Sequence, residues 1–203
     1  MSRLGHIAVE LKHHAPFTVF GAVVGVVVMA VVTLTRLDPE VSHHTFHVLH
    51  PLHMLLSSIV TAAMFRLHRG RLRGSVAVGF LGAAAICTIS DILFPYVGGA
   101  LLGAQMDLHI CLLIHPWLVI IPGLVGAAIG ALTGRWTKCP HAAHVLISTL
   151  ASLFYLVAFG VVDWLIRLPL VFVVLFIAVW IPCCMSDIVF PLLFARKRER
   201  RRR

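Results

Sequence analysis

The stretches CTISDILFP at Cys87–Pro95 and CCMSDIVFP at Cys183–Pro191 share the pattern C-x-x-S-D-I-x-F-P. Each sets a thiol and a carboxyl one helical turn apart inside a strongly apolar run. A second pair lies upstream, where HPLHMLLSS from His50 and HAAHVLIST from His141 share H-x-x-H-x-L-x-S. Spacings of three and four residues bring side chains to one helix face. Two candidate sets result: His50, His53, Cys87 and Asp91, and His141, His144, Cys183 and Asp187. Imidazole, thiolate and carboxylate are the ligand types that divalent transition metals take, and four of them suit tetrahedral Zn²⁺ or a related ion. His14, His115 and Cys184 fall where they can supplement these sets as further ligands.

Each motif also has a blander reading. A charged Asp at membrane depth costs at least about 2.5 kcal/mol, so it needs a partner or a function. Ser90 or Ser186 and backbone freed at a helix break would supply the partner alone. Pro95 and Pro191, four residues past each Asp, are expected to stop or kink their helices. His50 before Pro51 reads equally as the polar opening of a helix. The tract HHTFHVLHPLH, from His43 to His53, extends the histidines outward through a loop, where solvated rings and a metal-capturing entrance both fit. Cys111 reads as a buried small hydrophobe.

Long apolar elements must position these groups. The chain has 203 residues, 60% hydrophobic and 12% charged, with mean hydropathy +0.97. That composition excludes an ordinary soluble domain and implies an integral membrane protein. Six segments suit helical spans: 16–35, 51–66, 74–95, 112–133, 144–163 and 168–194. Their continuous rather than alternating hydropathy argues against a β-barrel. Of eight acidic residues, Asp91 and Asp187 fall inside these segments and Asp163 closes one of them. Small-residue runs such as GLVGAAIGALTG at 123–134 favour close helix packing in lipid. Five cysteines, mostly in apolar surroundings, do not suggest a disulfide framework.

The motif order, with HHAPF at His13 and LIHPW at Leu113 ahead of the two copies, matches spans 1–3 with spans 4–6. Three is odd, so the second array must cross in the opposite sense. The fold expected is all-α, six transmembrane helices in a 3+3 inverted-topology repeat. Its parts are an N-terminal segment 1–15, a first repeat 16–97, an external loop 98–111, a second repeat 112–194 and a basic tail 195–203. Placing both termini in the cytoplasm puts all but Arg36 and Arg167 of the 17 lysines and arginines inside. That satisfies the positive-inside rule for a plasma or inner membrane. The tail then meets anionic lipid rather than nucleic acid.

Inverted repeats serve alternating access, with ligand sets expected near each membrane face. The function expected is therefore transport of a divalent transition-metal cation, zinc-like in preference, as substrate. Two other readings stand beside it: a b-type haem electron-transfer protein, and a non-transporting membrane protein with structural polar clusters. Enzymatic activity is not expected, because HExxH and G-x-S-x-G are both missing and no Glu lies in a span. The lipid-exposed surface of six short helices is compatible with a homodimer.

Overall fold

A computed structural model describes the backbone of residues 3–69, 71–133 and 138–184, and the side chains of 15–67, 71–133 and 143–182. Helix α1 runs Arg3–Leu34, α2 Pro39–Arg69 and α3 Leu72–Thr88. A π-helical turn, Ile89–Leu93, joins α3 to α4, Phe94–Leu101. Then come a short α5, Cys111–Ile114, and α6, Trp117–Thr133. The last two are α7, Lys138–Phe159, and α8, Trp164–Cys184. The described residues are mostly helical, with a two-residue antiparallel ladder that pairs β1, Gln105–Met106, with β2, Gly160–Val161.

Among the described residues, four stretches are long and apolar enough to cross a membrane: Ala15–Leu34, Pro39–Leu67, Leu72–Leu101 and Trp164–Pro182. Trp117–Thr133 and Ala143–Phe159 are shorter, at 17 residues. Burial runs opposite to that of a soluble protein. Val23, Val27 and Val31 of α1 and Leu170, Val173, Ile177 and Ile181 of α8 point outward, whereas His50, His53, Ser57, Asp91, His144 and Ser148 are buried. Apolar outside and hydrogen-bonded polar inside is the arrangement that lipid imposes.

Several boundaries differ from expectation, each for a local reason. The span expected at 51–66 begins at Pro39, because Asp38 Oδ1 accepts the Glu40 N–H at 2.9 Å and Pro39 opens the helix. The histidine tract expected as a loop is consequently helical, and Pro51 lies within the helix. The span expected at 112–133 is divided at His115–Pro116. Helix α8 starts at Trp164, where Asp163 Oδ1 accepts the Leu165 N–H at 3.1 Å. Pro95 does not end its span, which continues to Leu101. The chain turns after α4 at Gly103, whose φ of +78° suits a residue without Cβ.

Helix α2 forms the centre and packs against α3, α6 and α7, while α1 packs against α8 and α7. Glycines set the approach of α6 to α2. A Cβ added at Gly126 would strike Ser58 Oγ and the Leu55 carbonyl, and one at Gly130 would strike the Ile59 carbonyl oxygen. Backbone cannot swing away as a flexible side chain can. Gly130→Ala is therefore expected to cost about 1–3 kcal/mol and lower the melting temperature in detergent. Leu132→Ala, at a site 74% exposed, should leave it unchanged; equal melting of the two would contradict this packing.

Candidate polar site at the centre of the helices

The site is organised around Asp91, which is wholly buried within the π-helical turn. In that turn hydrogen bonds run from residue i+5 to residue i, as from the Phe94 N–H to the Ile89 carbonyl. In the same register the Ser90 carbonyl would look to residue 95, which is proline and has no N–H. Ser152 of α7 fills the gap, donating its hydroxyl to Ser90 O at 3.0 Å. The expected freed carbonyl thus exists, and a neighbouring helix satisfies it. Proline and π-turn together let the span pass through a break in its hydrogen-bond ladder.

Four donors converge on the Asp91 carboxylate. His50 Nδ1 and His53 Nδ1 donate to Oδ2 at 2.9 and 2.7 Å, and Ser90 and Ser148 hydroxyls donate to Oδ1 at 2.8 and 3.0 Å. A carboxylate only accepts, so both imidazoles carry a proton on Nδ1 and turn Nε2 away from it. His50 Nε2 is buried and makes no hydrogen bond, and the ring stacks on Phe46 with centroids 5.4 Å apart. His53 Nε2 lies 3.8 Å from Cys87 Sγ. His53 also stacks on His144, centroids 5.5 Å apart.

The set His50, His53, Cys87 and Asp91 is therefore brought together. Both Asp91 oxygens are engaged by hydrogen-bond donors, and the carboxylate orients both imidazoles. Holding Nδ1 so that Nε2 is presented is the usual task of such a carboxylate. His144, expected near the opposite face, instead stacks on His53. His53 stands fourteen residues from either end of Pro39–Leu67, about 21 Å along the axis. The side chains of His14, His141, Cys183 and Cys184, and the whole of Asp187, lie outside the described residues.

A second cluster occupies one end of α2. His47 Nδ1 donates to the His43 carbonyl at 2.8 Å, and His47 Nε2 is 3.0 Å from His109 Nε2. Ligand atoms of His43, His47 and His109 lie within 4.8 Å of one another. His115 is near, its ring 5.4 Å from His47 and 5.8 Å from His109. It thus joins this cluster and not the Asp91 set. His109 carries no motif in the sequence and was not a candidate. Its loop is pinned by the β1–β2 ladder, and Tyr155 Oη accepts the His109 backbone N–H at 3.1 Å. Burial, and then the neighbouring His47 and His43, push the His109 ring down to about 4. Cys111 is buried, unbonded to another cysteine and pushed up to about 12 by burial, the behaviour expected of a packed thiol.

The clusters are joined along α2. His43, His47, His50 and His53 fall within about a third of the helix circumference and span about 15 Å along its axis. Ser57 and Thr61 continue the same face, also buried. Comparison of the chain with protein-family models, with curated proteins and with solved structures finds no match. The molecule's own geometry therefore carries the functional reading.

Two outcomes follow. Asp91→Ala leaves buried imidazole and hydroxyl donors without their acceptor, at about 1–3 kcal/mol each. Melting in detergent should fall by on the order of 10 °C, with Asp91→Asn, which keeps an acceptor, falling less; an unchanged Asp91→Ala would remove the carboxylate from its central role. The second concerns His109, which stays neutral in the folded protein while an unfolded histidine protonates near 6.5. Its contribution to stability is present above that value and is lost as pH falls towards 4. Imidazole resonances in NMR should place its titration near 4, and a midpoint near 6.5 would contradict the burial argument.

Proposed function

We propose that the protein is a multi-pass transporter for a divalent transition-metal cation, with zinc-like ions as the substrate class. The observation that carries this reading is the file of imidazoles on one face of α2. It leads from the helix end to the middle of an apolar span, where Asp91 presents two further Nε2 atoms. Donors exchangeable between neighbouring rings let an ion step inward without crossing bare hydrocarbon. Nitrogen and sulfur donors favour transition metals over Mg²⁺ or Ca²⁺, which take oxygen. Metal enters only on deprotonated donors, so coupling to proton movement is chemically available.

The inverted 3+3 arrangement belongs to the same proposal, with α1, α2 and α3–α4 exchanging with α6, α7 and α8. Neighbour relations support it: α2 on α3 mirrors α7 on α8, α2 on α6 mirrors α7 on α1, and α3 on α6 mirrors α8 on α1. His53 and His144, the second histidines of the two H-x-x-H motifs, stack on each other, as counterparts near an exchange axis would. Transporters of this construction bind cargo where their repeats meet, near the bilayer midplane. A single central locus thus fits better than one ligand set per face. Direct stacking of His53 on His144 and of His50 on Phe46 also favours an ion over a haem, which needs its own width between axial histidines. The basic-residue distribution supports cytoplasmic termini in a plasma or inner membrane.

The test is ion flux into proteoliposomes containing a zinc-responsive fluorophore. His53→Ala and Asp91→Asn are expected to reduce Zn²⁺ flux at least tenfold while remaining monodisperse in detergent. Flux equal to that of the unaltered protein in both variants would sink the transport reading.

A further inference from the structure

We infer that His43, His47 and His109 form a distinct metal-binding site at the end of α2, taking one borderline divalent ion of the Zn²⁺, Co²⁺, Ni²⁺ and Cu²⁺ class. Its role as a capture point on a transport path rests on the proposed function; its binding of the ion does not.

The geometry is that of a donor set nearly closed. Tetrahedral Zn–N bonds of about 2.0–2.1 Å require nitrogens a little over 3 Å apart. His47 Nε2 and His109 Nε2 already stand 3.0 Å apart, sharing one proton in a hydrogen bond. A metal ion takes that proton's place, and the proton moves to His109 Nδ1, so that ring stays neutral and offers Nε2 as the ion binds. His43 stays within 4.8 Å and is exposed, so a turn of its side chain closes the remaining distance.

What surrounds the three rings holds them for this purpose. The His47 Nδ1–H bond to the His43 carbonyl fixes the proton on Nδ1 and leaves the Nε2 lone pair facing His109. A backbone carbonyl on the non-ligating nitrogen is a common outer partner of metal-bound histidine. Phe159 stacks on His109 with centroids 4.6 Å apart and planes 15° apart, setting the orientation of that ring. Tyr155 accepts the His109 N–H and donates to the Asp107 carbonyl at 3.1 Å, anchoring the loop on both sides of Leu108. The donors thus come from two elements, α2 and the 105–110 loop, each fixed independently of any ion.

The chemistry of the donors selects the class of ion. Three neutral nitrogens offer nothing to a hard cation, which seeks carboxylate and carbonyl oxygen. Three protein ligands also leave a fourth position for water or for His115, whose ring lies within 6 Å of both His47 and His109. An open fourth position marks a site that exchanges its ion rather than one that locks it in place.

The experiment uses the full chain, purified in detergent and titrated with Co²⁺ while its visible absorption is recorded. The expected result is one equivalent with the intense bands of tetrahedral Co²⁺, displaced by Zn²⁺ and unaffected by excess Mg²⁺ or Ca²⁺. His43→Ala and His109→Ala should each weaken binding by roughly 10- to 100-fold or more. His44→Ala, one residue outside the set, should leave it unchanged. Because His109→Ala alters a packed loop, His43→Ala serves as the second variant, since it removes only an exposed ring. Binding that survives both variants but disappears in His53→Ala would overturn this site and move the ion to the Asp91 centre. Absence of any Co²⁺ band would overturn it as well. Full binding here combined with no flux in proteoliposomes would sink the transport proposal alone.

Discussion

The structure depends on a carboxylate buried where hydrocarbon is expected outside and no bulk water within. Removing an ionised carboxyl from water costs several kcal/mol unless other donors replace its hydration. Asp91 obtains those donors from three elements: imidazoles of α2, the hydroxyl of its own neighbour Ser90, and Ser148 of α7. None of the three elements satisfies the group alone. Their mutual position is therefore set by a polar constraint as much as by apolar packing, and His50, His53 and Ser148 take their orientation from it.

The backbone around Asp91 obeys the same logic. A π-turn followed by proline leaves the Ser90 carbonyl without its regular partner, and in lipid such a group cannot turn to solvent. Ser152 supplies the missing donor, its one hydroxyl proton shared between the Ser90 and Ser148 carbonyls at 3.0 and 2.8 Å, so α7 reads the irregularity in α3–α4 directly. π-turns concentrate at functional sites because an inserted residue re-aims a side chain that a regular helix would point elsewhere. Glycines 126 and 130 permit the complementary approach of α6 on the other side of α2. Polar groups inside and small residues at crossings together replace the hydrophobic effect, which offers no drive between helices already in lipid.

The two histidine clusters differ in what their nitrogens are doing. At the centre each Nδ1 is committed to Asp91, and Nε2 is presented towards aromatic or sulfur neighbours. At the end of α2 the rings face one another, and His47 and His109 share a proton. Both arrangements draw on histidines from one stripe of α2.

Much of this was legible from residues alone. Hydropathy identified the membrane class, and the copied C-x-x-S-D-I-x-F-P and H-x-x-H motifs pointed to His50, His53, Cys87 and Asp91 as companions. The start of α2 was also written locally: Asp38-Pro39-Glu40 is a helix opening, obscured by the polar histidines that follow and lower the hydropathy there. Those properties depend on composition and short spacing, which the chain carries without folding. The orienting role of Asp91, the contact of His144 with His53 and the recruitment of His109 were decided only in three dimensions. Ser148 lies 57 residues from Asp91, and His109 lies 62 from His47. Which distant groups meet is set by helix packing and a pinned loop, and no local pattern encodes that.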